Sequence, residues 1–75
     1  MNIKELNNIM LLKRFREQWL FGRFEGVDFE TEILNRIKQS DDNISIFNQW
    51  KDQMKFGRLL NKDFKGTLLL KMSGI

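Results

Sequence analysis

Apolar residues recur at helical spacing in four stretches of the chain. Leu11, Leu12, Phe15, Trp19 and Gly22 fall on one face of a 3.6-residue period, and Ile46, Phe47, Trp50, Met54 and Gly57 do the same later on. Phe29, Ile33, Leu34 and Ile37 form a further stripe, matched by Phe64, Leu68, Leu69 and Met72. No segment alternates strictly with period two, and proline is absent. The pattern predicts an all-α fold of about four short helices; only the run Thr67-Leu68-Leu69-Leu70 is a candidate for extended structure. Polar residues mark the ends. Asn2 with Glu5 has the form of a capping box, which would start the first helix near Ile3. Asp28 and Asp63 stand where an N-cap is wanted, and Ser40-Asp41-Asp42-Asn43 is a polar break able to cap another helix. Gly26 and Asn61 suit the left-handed backbone of a helix end. Gly22 and Gly57 are expected to terminate or bend their helices rather than to admit a close neighbour, with Arg23 and Arg58 bonding the last free carbonyls. The final residues, 73–75, are expected to fray.

The stripes repeat as a set. Pairing residues 8–40 with 43–75 at a gapless offset of 35 gives nine identities, where unrelated sequence gives roughly two. Asn8-Ile9 recurs as Asn43-Ile44, Phe21-Gly22-Arg23 as Phe56-Gly57-Arg58, and Asp28-Phe29 as Asp63-Phe64. The expected architecture is therefore a single domain, residues 1–75, built as two tandem 35-residue helical hairpins in a pseudo-two-fold relation. The period is near that of tetratricopeptide repeats, but their tryptophan-to-tyrosine signature and closing proline are missing.

Composition removes whole classes of chemistry. With no cysteine and no histidine the chain has no disulfide, thiol nucleophile, Cys/His zinc site or imidazole base. Ser40, Ser45 and Ser73 lack an activating partner, Asp28, Glu30 and Glu32 read as favourable acids at a helix start, and no phosphate-cradling glycine loop occurs. We expect no enzyme, no metal and no cofactor. The longest apolar stretch is Ile9 to Leu12, far short of the ~20 residues of a membrane helix. No secretory core precedes it, so a soluble cytoplasmic protein without a membrane partner is expected. Net charge is +3, distributed as +3 over residues 1–23, −4 over 24–42 and +4 over 43–75. The acidic middle is expected to lie against the basic ends.

Two kinds of partner remain. Nine Phe and Trp residues are a heavy load for so small a core, and Leu20, Phe21, Phe24, Phe56 and Leu59 fall off the core stripes. Together with the repeated polar residues Gln18, Gln53, Arg23 and Arg58, they are the expected contacts to a partner protein. The chain itself is expected to be a homodimer, as a small regulatory or inhibitory protein. The alternative is a DNA-binding regulator. Residues 21–27 are loosely similar to the turn of a helix-turn-helix unit, and Lys13, Arg14, Arg16, Lys62, Lys65, Thr67 and Lys71 would be its nucleic-acid contacts.

Overall fold

The computed structural model describes residues 2–22 and 28–74, and among these every regular element is helical. A short 3-10 turn, Ile3–Glu5, leads into α1 (Asn8–Phe21), α2 (Phe29–Arg36), α3 (Asp41–Phe56) and α4 (Phe64–Met72). The run Thr67-Leu68-Leu69-Leu70 lies inside α4 and is not extended. The bounds of the two copies agree at the 35-residue offset to within two residues at every end.

The same side chains end the same helices. Asp28 Oδ1 accepts from the Thr31 amide at 3.0 Å and Asp63 Oδ1 from the Gly66 amide at 2.9 Å, which opens α2 and α4. Ser40 Oγ accepts from the Asn43 amide and opens α3. Gly22 and Gly57 are the C-caps of α1 and α3, each at φ 66°, and their amides donate back to the Gln18 and Gln53 carbonyls at 3.0 Å. Both glycines are exposed, with no atom of the described residues near the place a Cβ would occupy, and both end their helices at positive φ.

Three local expectations are corrected. The first α-helix does not start near Ile3: Asn2 caps only the 3-10 turn, and Leu6 and Asn7 are extended. Asn7 then caps α1 by accepting from the Met10 amide at 2.8 Å, a second capping residue five positions on that outcompetes the first. Asn61 is not the left-handed residue of its turn. Gly57 already ends α3, and the second positive φ falls on Leu59, at 54°. Arg58 makes no hydrogen bond to the end of α3; its guanidinium lies 5.5 Å from the centroid of the Phe56 ring. Gly26 and Arg23, given the corresponding roles in the first copy, lie outside the described residues, as does Ile75.

α1 packs on α2, α3 and α4, α3 on α4, and α2 on α4. The core holds Leu11, Leu12, Phe15, Phe29, Ile33, Ile37, Phe47, Trp50, Phe64 and Leu68, drawn from all four stripes. Its centre is aromatic: Phe15 lies 5.2 Å from Phe47 and 5.8 Å from Trp50, ring centre to ring centre, and stacks on Trp19 at 6.2 Å. Five aromatic rings, Phe15, Phe29, Phe47, Trp50 and Phe64, are buried in one chain. Polar ties hold the periphery. Lys51 pairs with Glu30 at 2.8 Å, which sets one carboxylate of the acidic middle against the basic second copy. Arg36 bonds Glu32 and the Asn8 side chain, and its Nη2 reaches the Ile3 and Lys4 carbonyls, fastening the leading turn to α2.

Candidate functional site

The described residues expected to meet a partner protein gather at helix ends. Phe21 and Phe56 are the last residues of α1 and α3, at matching places in the two copies, and are 63% and 60% exposed. Leu59 and Leu60, just beyond α3, are 50% and 74% exposed. Leu60 was not singled out from the sequence. Leu20 is half-buried. Phe24 and Arg23 lie outside the described residues.

The two repeated glutamines are occupied within the fold. Gln53 Nε2 donates to the Leu59 carbonyl at 2.7 Å and to the Lys62 carbonyl at 2.8 Å, and the Lys62 amide donates to Leu59 as well. This clamp holds the turn after α3 and offsets the strain of a leucine at positive φ. Gln18 is half-buried and also makes contacts.

Gln53 stands between two hollows. One, of about 310 Å³, is lined by Gln49, Asp52, Gln53, Arg58 and Leu59. The other is a groove of about 440 Å³ where α1, α3 and α4 meet. Ile9, Leu12, Lys13 and Arg16 form its α1 wall, Trp50, Gln53 and Met54 its α3 wall, and Lys65 closes it from α4. Residues 9, 13 and 16 share one face of α1 because the helical period brings them round in turn. The floor is apolar. Lys13, Arg16 and Lys65 are exposed at its rim, no carboxylate lines it, and none of the three cations has an ion pair among the described residues.

The groove divides the residues expected to meet nucleic acid. It gathers Lys13, Arg16 and Lys65 from both copies. Arg14 is half-buried and makes contacts of its own. Lys62 is exposed in the clamped turn, and Lys71 is half-buried in the last turn of α4. The Thr67 hydroxyl donates to the Asp63 carbonyl at 3.1 Å. Trp50 is only 3% exposed, so its ring offers no face on which a base could stack.

The acidity of Asp28 is displaced by its capping bonds. The Thr31 hydroxyl and amide, with help from the Glu30 amide, hold its carboxyl below the usual range, as expected of an N-cap. Among the described residues no three carboxylates gather as a metal ligand set, and no helix is long and apolar enough to cross a membrane. Comparison with protein-family models, curated proteins and solved structures finds no match to this chain.

Proposed function

We propose that this chain is a small non-enzymatic interaction protein that binds a partner protein and self-associates through the exposed helix ends of α1 and α3. The observation that carries the reading is the contrast among the aromatic rings. Five are buried, yet Phe21 and Phe56 stay exposed at the same place in both copies, with Leu59 and Leu60 beside the second. Burying a large apolar side chain is worth about 1.5–3 kcal/mol, so a matched pair left in water favours covering by another surface. The DNA-binding alternative draws on the unpaired cations of the groove. It ranks second, because Lys62 and Lys71 do not line that groove and Thr67 is engaged within α4.

Sedimentation equilibrium across micromolar concentrations tests the first reading. A concentration-dependent dimer is expected, and the double variant Phe21→Ser/Phe56→Ser should sediment as a monomer with unchanged helical circular dichroism. A wild-type monomer throughout that range removes self-association from the proposal.

A further inference from the structure

The repeat provides an internal comparison for the groove. Shifted by 35 residues, Arg16, Met54 and Lys65 correspond to Lys51, Trp19 and Glu30. Those three counterparts meet in the structure. Lys51 Nζ bonds Glu30 Oε1 at 2.8 Å and lies 4.6 Å from the Trp19 ring centre, while the indole Nε1 donates to the Lys51 carbonyl at 3.1 Å. Lys55 covers the same ring from 4.4 Å. One side of the molecule is thus complete: a cation, a carboxylate and a large aromatic ring. In the groove the cation remains as Arg16, but the carboxylate is replaced by Lys65 and the indole by the slimmer Met54. What the groove lacks, relative to its counterpart, is one negative charge and one large apolar side chain.

We propose that the groove between α1, α3 and α4 docks an acidic segment of a partner protein. A carboxylate of that segment would meet Arg16, Lys13 and Lys65, and an adjacent aromatic side chain would cover Ile9 and Met54. This deepens the protein-binding reading and rests on it, while using a surface separate from the helix ends. Charge complementarity sets the sign of the occupant: three cations, no lining carboxylate and no ion pair among the described residues. The apolar floor sets its second feature, since a phosphate backbone has nothing to place there. A volume of about 440 Å³, open along its rim, suits anchoring side chains of a segment lying across it.

The probe is a synthetic helical peptide carrying glutamates and one tryptophan on the same face, titrated into isotope-labelled protein and followed by amide and indole NMR. Its controls are the same peptide with lysine for glutamate, the same peptide with glutamine for tryptophan, and a short DNA duplex. Expected are shifts centred on Ile9, Lys13, Arg16, the Trp50 indole and Lys65, with a dissociation constant of about 1–100 µM that weakens as salt rises. Lys65→Glu restores the carboxylate internally and should weaken binding at least about tenfold, whereas Lys62→Glu, equally exposed but outside the groove, should change it less than about threefold. The proposal is overturned if the peptide gives no shifts, if the lysine or glutamine control binds as well, if the duplex binds in its place, or if Lys65→Glu leaves affinity intact. Repeating the titration on Phe21→Ser/Phe56→Ser separates the two surfaces. Loss of self-association with retained peptide binding would leave the groove standing on its own.

Discussion

The position of a single oxygen explains much of the local structure. Asp28 holds both the amide and the hydroxyl of Thr31, the latter at 2.5 Å, while its counterpart Asp63 faces Gly66 and so holds an amide alone. The Thr31 hydroxyl and amide keep Asp28 ionised to lower pH in the folded chain than in the unfolded one. A lowered folded-state pKa adds stability above the unfolded value of about 3.9, and the contribution fades as pH falls through the folded value. Asp28→Asn keeps a capping side chain without the titration. Thermal melts from neutral pH down to acid should therefore show a flatter pH dependence for Asp28→Asn than for the wild type; parallel profiles would show that the cap does not depend on charge. Gly66 has its own constraint. A Cβ there would fall 2.2 Å from Asp63 Oδ2, so Gly66→Ala would require that carboxylate to turn.

At the scale of the element, the helix ends are as informative as the stripes. Gly22 and Gly57 have the same φ of 66° and the same open surroundings, so replacing either with alanine should cost about 1 kcal/mol through backbone strain alone. Reversible denaturant unfolding of Gly22→Ala and Gly57→Ala checks this, and unequal costs would mean that one end is supported by more than its cap. Much of this was legible in the sequence. The spacing of Phe29, Ile33 and Ile37 marked α2, and the Asp and Gly punctuation placed one end of each of the four helices. The misplaced features were those decided by competition between neighbours. Asn2 reads as the cap of the first helix, yet it is Asn7, not singled out from the sequence, that opens α1, with Ile3 and Leu6 before it packed against the core. Leu59 reads as a poor left-handed residue by type, and takes that conformation because Gln53, six positions back, holds its carbonyl. The groove was hidden for a different reason. Lys13, Arg16 and Lys65 were each visible as basic residues, but only the convergence of α1, α3 and α4 makes them neighbours.

Across the whole molecule, the two copies match in helix bounds and caps and differ in what they expose. Both bury aromatic rings and expose a terminal phenylalanine, yet among the described residues only one side carries an ion pair over an indole. Arg36 adds a further asymmetry. It joins the leading turn, α1 and α2 through the Ile3 and Lys4 carbonyls, the Asn8 side chain and Glu32. Arg36→Ala should destabilise the fold by about 1–3 kcal/mol, and hydrogen exchange should show the loss concentrated in α2, the shortest of the four helices. Uniform loss across all helices would show that α2 opens only with the rest. Lys71, which stands in the matching place, has no such preceding turn to hold, because the residues at the corresponding offset form the link into α3. The halves are thus not interchangeable parts: a circularly permuted chain that opened at residue 39, in the link before α3, would place the leading turn after α4 as a linker, and Arg36 would keep its grip only if that linker could span the distance.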